Sequence, residues 1–205
     1  MYKAYQVTKD FESVVSDYVG SKYGVAVDSC SNALFLCMKY LNVEGSEITI
    51  PSRTYLSVPC NIIHAGAKVK FDSNHPNIHD KKLKGAYQLD PYPIWDAALS
   101  LKKDSYIPGQ YMCLSFSGPN KHLKLGKGGM ILTDDEKAYK WFKKARYSGR
   151  NEASHLTDCF DMIGWNCYML PEIAARGLVM MVGMSDFNDD LELEYQDLSK
   201  YEIYK

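Results

Sequence analysis

Three short apolar runs, Gly24–Val27, Glu47–Ile50 and Lys68–Phe71, are separated by segments of helical period, and this alternation limits the fold more than any other feature. Between the first two, Asn32–Leu41 places Ala33, Leu34, Leu36, Cys37, Tyr40 and Leu41 on one side of a helix. Pro51 closes the second run, and a helix over about Tyr55–Ala65 follows, with Ser52 or Thr54 as its cap. Pro59 falls in its first turns, where a missing N–H is tolerated, and Gly66 stops it. Strands spaced by helices of this length cannot pair through tight hairpins, so the pattern predicts parallel strands with crossover helices. The expected fold is α/β, a three-layer αβα arrangement around a mostly parallel central sheet.

The rest of the chain extends the pattern. Thr8 would cap a helix running to about Val19, ended by Gly20. Residues 72–92 read as a polar loop with a brief strand near Ala86–Leu89. Gln110–Leu114 and Gly129–Thr133 are further apolar runs, and Asp134 would cap a helix of about Asp135–Arg146. Residues 147–169 are irregular, and Pro171 opens a helix to about Gly183. One domain over 1–185 is expected, with an acidic, then tyrosine-rich tail at 186–205 that is either a short terminal helix or disordered.

Composition narrows the function classes. The 205 residues carry a formal net charge of −1, which argues against a nucleic-acid binder. No apolar run approaches membrane-spanning length, and the first residues lack the apolar core of a signal peptide, so a cytoplasmic protein is expected by default. Six cysteines without a C-x-x-C pair read as buried free thiols in a reducing compartment. Five histidines show no metal-ligand spacing, so no metal site is expected. Sixteen tyrosines hint at an oligomer interface.

Chemistry concentrates in Leu114–Gly129, LSFSGPNKHLKLGKGG, a loop with four glycines and three lysines between two apolar runs. Lys121 sits in a segment whose flanks are small or apolar. Desolvation would lower its pKa, and a neutral amine can attack a carbonyl. The plain alternative is a solvated loop lysine. Strand Gly24–Val27 runs through Asp28-Ser29-Cys30-Ser31 into a helix start, an anion site or simply a serine-capped helix. Tyr55 stands on the next strand-to-helix turn and would otherwise be core packing. Asp96 follows the run Pro93–Trp95 and would otherwise cap a helix. A phosphate cradle, a ring-stacking side chain, a carboxylate and a Schiff-base lysine together are what pyridoxal phosphate requires.

At these residues the chain resembles the DegT/DnrJ/EryC1/StrS family of sugar aminotransferases. The resemblance is carried, in order, by FESVVSDYVGSKYGVAVDSCSNAL at 11–34 and IPSRTYLSVPCNIIHAGAKVKFDS at 50–73. IWDAALS at 94–100, SFSGPNKHLKLGKGGMILTDD at 115–135 and GWNCYMLPEIAARGL at 164–178 complete it. It implies the large domain of the type I pyridoxal-phosphate aminotransferase fold. It implies that Lys121 forms the Schiff base with pyridoxal 5'-phosphate and that Asp96 pairs with the ring nitrogen. Tyr55 would stack on the ring. Cys30 (through its backbone N–H), Ser31 and Ser115 would hold the phosphate. Asn166, otherwise a turn residue, would reach the phosphate of a neighbouring subunit in a homodimer. The implied reaction moves an amino group, usually from glutamate, onto a nucleotide-linked keto sugar.

The chain departs from the family pattern at four points. Judged from the resemblance, the small C-terminal domain would be missing, one extra residue lies between Ser115 and Lys121, Leu99 replaces a Gln or His, and Tyr168 replaces an Arg. The competing expectation is a catalytically inactive relative that serves as a binding or assembly partner. A dehydratase on the same fold would carry His in place of Lys121, and His122 stands beside it.

Overall fold

A computed structural model describes residues 5–154 and 156–204. Residues 1–4 and 205, with which the expected domain and tail begin and end, lie outside the described residues, as does His155. In chain order the elements are α1 (Gln6–Val19), β1 (Tyr23–Val27), α2 (Cys30–Tyr40), β2 (Glu47–Pro51), α3 (Ser57–His64), β3 (Lys68–Asp72), β4 (Ile78–His79), β5 (Lys82–Lys84) and β6 (Tyr87–Gln88). They continue with β7 (Ile94–Asp96), β8 (Tyr111–Ser115), β9 (Gly129–Thr133), α4 (Glu136–Ala145), α5 (Pro171–Met181) and β10 (Glu192–Glu194). Two 3-10 turns, Leu198–Lys200 and Glu202–Tyr204, close the described chain.

The sheet separates two cores. Val25 and Val27 of β1, Cys113 of β8 and Ile131 of β9 face a core shared with α2 and α4. Ala26, Met112, Leu114, Met130 and Leu132 alternate with them and face a second core. That second core takes Phe11, Val15 and Val19 from α1 and Ala174 and Met181 from α5. Strict period-two alternation on a sheet buried on both faces leaves each strand wholly apolar, which is why these runs read as continuous. Three layers result.

The strand pairing corrects the expected parallel sheet. Strands lie in the order β1-β9-β8-β7-β6, and β2 pairs in parallel with β3. Thr49 of β2 and Asp90, just past β6, exchange backbone hydrogen bonds of 2.8 and 3.2 Å, which joins the two sheets at that point. β1, β2, β3, β7 and β8 run one way, whereas β6 and β9 run against them, so the ladders are antiparallel at β1/β9, β8/β9 and β6/β7. β9 reverses after the 116–128 loop that follows β8, and the reversal of β6 has its physical reason at residues 89–93. Tyr92 N–H bonds to the Leu89 carbonyl (2.9 Å) and Leu89 N–H to that of Ile94 (2.8 Å), so β6 turns straight back into β7. A tight hairpin of this length forces antiparallel pairing between the brief strand expected near Ala86–Leu89 and the run that follows it.

Helix starts also differ from expectation. Thr8 is buried inside α1, which begins at Gln6 after Tyr5. Asp135 caps α4, its side chain accepting from Lys137 and Ala138 N–H (2.8 and 3.1 Å). Neither Ser52 nor Thr54 caps α3, which starts behind Leu56 without a side-chain cap. Residues 186–204 fold back across the molecule. β10 pairs antiparallel with β5, Leu191 N–H bonds to Leu99 O (2.9 Å) and Leu198 N–H to Ser52 O (2.8 Å).

Candidate active site

The same-direction strands deliver their C-terminal ends to one place. β1 runs out at Asp28–Ser29, β2 at Pro51 before Thr54 and Tyr55, β7 at Asp96 and β8 at Ser115. Carboxyl edges of parallel strands are where α/β sheets leave a crevice. A cavity of about 440 Å³ opens there, and Cys30, Ser31, Tyr55, Asp96, Ser115 and Lys121 all line it. Six residues drawn from five separate stretches of sequence are thus brought together.

The anion end is built by α2 meeting β9. Ser29 caps α2, its hydroxyl oxygen accepting from Asn32 N–H (3.2 Å), which is the plain role foreseen for a serine here. The first N–H groups of a helix have no partners within it. Ser31 Oγ lies 2.6 Å from Ser57 Oγ, so these two hydroxyls form one polar patch on the wall. Gly129 makes the approach possible: a Cβ there would stand 2.4 Å from the Cys30 nitrogen. Lys127, also on the wall, pairs with Asp28 at 3.8 Å.

Asp96 is buried and well held. Oδ2 accepts from the Tyr87 hydroxyl (2.9 Å), and Oδ1 accepts from Ala98 N–H (2.9 Å) and the Cys30 thiol (3.9 Å). Burial pushes its carboxyl above the usual range, while the Ala98 and Tyr87 hydrogen bonds and the Lys121 charge pull it back. Lys121 is half-buried, and desolvation lowers its amine below the usual lysine value, with Asp96 and Cys30 opposing. Tyr55 stands at the mouth, 53% exposed, with its ring uncommitted to the core.

Asn166 is placed elsewhere. It lines a second cavity, of about 340 Å³, with Asp28, Lys127, Tyr168 and Leu170, and pairs across from Tyr147. Lys127 borders both cavities. Leu193 and Tyr195, by contrast, line the main cavity although sequence reasoning left them in a tail. The signal was present: LELEY at 191–195 alternates apolar and charged residues with the period of a strand. Burial raises the Tyr195 phenol beyond its usual range, and the charges of Asp96, Tyr55 and Cys30 add to this.

The arrangement sets a half-buried amine, a buried carboxylate and a helix start around one hollow. Comparison with known proteins decides the relationship. The model of the DegT/DnrJ/EryC1/StrS aminotransferase family matches residues 1–86 and 107–199. The chain belongs to that family. Residues 87–106, which carry Asp96 and the β6–β7 hairpin, fall between the two matched stretches. Among curated relatives, the spore coat polysaccharide biosynthesis protein SpsC of Bacillus subtilis is 29% identical over 164 residues, 62% of this chain and 42% of that protein. GDP-perosamine synthase of Caulobacter vibrioides is 26% identical over 208 aligned residues, 84% of this chain and 55% of that one. The chain therefore spans about half the length of the curated relatives it matches.

Solved structures agree on the fold. AtS13 from Actinomadura melliaura superposes with a TM-score of 0.72 at 18% identity, covering 89% of this chain and 61% of that one. The PLP form of the sugar aminotransferase-like protein Spr1654 from Streptococcus pneumoniae gives 0.69 at 19% identity, covering 87% and 59%. The type I aminotransferase architecture is thus present in this DegT/DnrJ/EryC1/StrS member, with β6 and β9 antiparallel. Among the described residues, no helix is long and apolar enough to cross a membrane.

Proposed function

We propose that this chain binds pyridoxal 5'-phosphate and works as a sugar aminotransferase, moving an amino group from glutamate onto a nucleotide-linked keto sugar. The observation that carries the reading is the convergence of Asp96 and Lys121 on one cavity that also holds the start of α2. The donor set fits the cofactor. Asp96 offers a buried carboxylate for a ring nitrogen, α2 with Ser31 and Ser115 offers donors for a phosphate, and Tyr55 offers an exposed aromatic face. A cofactor bound there would supply a ring that takes up the electron pair left when an amino acid loses its α-proton.

This chain's own residues do the rest. Lys121, its charge disfavoured by burial, is a nucleophile for a carbonyl and then a base that carries the proton. Asp96 holds a proton at the ring nitrogen and keeps the ring electron-poor. Cys30 through its N–H, Ser31 and Ser115 hold the phosphate. Asn166, turned to a separate cavity, serves the site of a second copy in a homodimer. The nucleotide-sugar substrate is supported by the family and by the named activity of its perosamine synthase relatives. A cytoplasmic setting accompanies this reading, supported by six free cysteines.

The test is the absorption spectrum of the purified protein with pyridoxal phosphate, alongside Lys121→Ala. A visible band that borohydride fixes covalently to the wild type, absent from the variant, is expected, and glutamate should bleach it. No band at saturating cofactor would instead favour the inactive, partner-binding reading.

A further inference from the structure

The inference rests on the cofactor reading above and concerns what keeps Asp96 fit for that role. The carboxylate is 5% exposed, and the two groups behind it are more enclosed still, Tyr87 at 2% and Thr54 at 2%. Water therefore does little to support a charge there, and protein donors must do so. Tyr87 and Asp96 stand directly opposite in the β6–β7 ladder, so their side chains share one face of the sheet. The Tyr87 hydroxyl gives its one proton to Asp96 Oδ2 at 2.9 Å. Its 2.6 Å contact with Thr54 Oγ1 must then run the other way, with Thr54 donating to the phenol oxygen. Two hydroxyls in series, both pointing toward the carboxylate, polarise one another.

We propose that Thr54 and Tyr87 form a donor relay in which Tyr87 is the positioning residue that keeps Asp96 ionised and available to the cofactor's ring nitrogen. The relay depends on the tight hairpin, because only direct antiparallel pairing sets residue 87 across from residue 96. That hairpin lies in the stretch the family model passes over, so the relay is read from this chain and not carried across from relatives. The titratable groups facing Asp96 are Tyr87 from β6, Cys30 from α2, Cys113 from β8, Lys121 from the loop and Tyr195 from the folded-back segment. Of these, Tyr87 donates directly at 2.9 Å, whereas the single proton of the Cys30 thiol, 3.9 Å from Asp96, has a nearer acceptor in the Cys113 carbonyl at 3.4 Å. Burial alone would favour the protonated acid; the Ala98 N–H acts against it from the backbone, and the Tyr87 hydroxyl is the leading side-chain group that does so.

Two readouts test the relay. The first needs no cofactor. Carboxyl-labelled aspartate allows the Asp96 carbon to be followed by NMR through a pH titration, with Asp96→Asn identifying the signal. Tyr87→Phe keeps the ring in the core and deletes the donor. Its Asp96 midpoint should move to higher pH, and Thr54→Val should move it the same way by less. A Tyr87 that is merely core packing would leave the midpoint where it was even if the melting temperature fell, and that result would overturn the proposal. The second readout is the dissociation constant of pyridoxal phosphate. It should rise about tenfold in Tyr87→Phe, the loss expected for a hydrogen bond to a charged group, and the rise should be steeper in acid. Provided the wild type binds cofactor, an unchanged constant in Tyr87→Phe would also overturn the relay. A wild type that binds none would defeat the cofactor reading while the NMR arm still decided the relay.

Discussion

Arg146 is the residue with most at stake outside the cavity. It is 2% exposed and pairs with Glu12, with Glu152 (3.0 Å) and with the Ala26 carbonyl. Lys143 bridges the same two glutamates at 3.0 and 2.8 Å. Burial alone would raise the Glu152 carboxyl, but Lys143, Lys9 and Arg146 bring it down to about 2. Its folded value lies below its unfolded value of 4.5, so its contribution is complete above pH 4.5 and fades as pH falls toward 2. The shift corresponds to about 3 kcal/mol. Glu152→Gln should lose about that much in urea unfolding at pH 7, and its gap from wild type should narrow between pH 5 and pH 3. Gly129→Ala is the sharper test of the anion end. The added methyl would press on the Cys30 nitrogen and the Ser29 carbonyl, both backbone, so α2 must retreat. Pyridoxal-phosphate affinity should drop by at least about tenfold, since an error near 1 Å at such a centre is costly, with helix content by circular dichroism retained. Lys121, Asp96, Tyr55, Ser31 and Cys30 could be singled out in the sequence because each lies at or beyond the end of an apolar run, and the fold gathers them around one cavity. Tyr87 and Thr54 were not, because a buried hydroxyl pair has no local sequence pattern.

The segment 186–204 shows what an element can conceal. LELEY is a strand only because Lys82–Lys84 lies beside it, and that partner is more than a hundred residues away in sequence. Its alternation has the period of a strand, but nothing local names the partner. Arg53 pins the segment over the cavity, its Nη1 donating to the Tyr195 carbonyl at 2.6 Å. Arg53→Ala should release this point, and amide hydrogen exchange at Leu193 and Tyr195 should accelerate about tenfold or more while exchange in β8 and β9 stays unchanged. The β6–β7 hairpin misled the sequence reading in the opposite sense, since Pro93 and a polar run resemble any loop and give no warning that β6 reverses the sheet. Between α1 and α5, Gly177 brings the helices close: a Cβ there would meet the Phe11 ring at 2.5 Å. Gly177→Ala should therefore destabilise by up to about 2 kcal/mol in denaturant titration. Overpacking costs 1–3 kcal/mol or so, and the better helix propensity of alanine offsets roughly 1.

For the whole molecule, a ligand that binds the folded chain alone stabilises it by mass action. At free pyridoxal phosphate a hundredfold above its dissociation constant, the gain is about 2.7 kcal/mol, or about 5–10 °C in melting temperature for a chain of this size. Lys121→Ala should show a much smaller rise, and an equal rise in both would place the binding away from the cavity. The three-layer plan was readable from the alternation of strand runs with helical segments, and β1, β8 and β9 are buried on both faces. Sheet order was not, because it depends on which distant strands meet. That order has a consequence for a chain still being made. β1 is an edge strand whose ladder partner is β9, with Val27 also touching Tyr168, so Val25–Val27 emerges about a hundred residues before anything can zip onto it. At roughly 5–20 residues per second, translation leaves that apolar strand waiting on the order of 5–20 s. Through that interval α1 and α2, already complete on either side in sequence, are what can shelter it from other nascent chains.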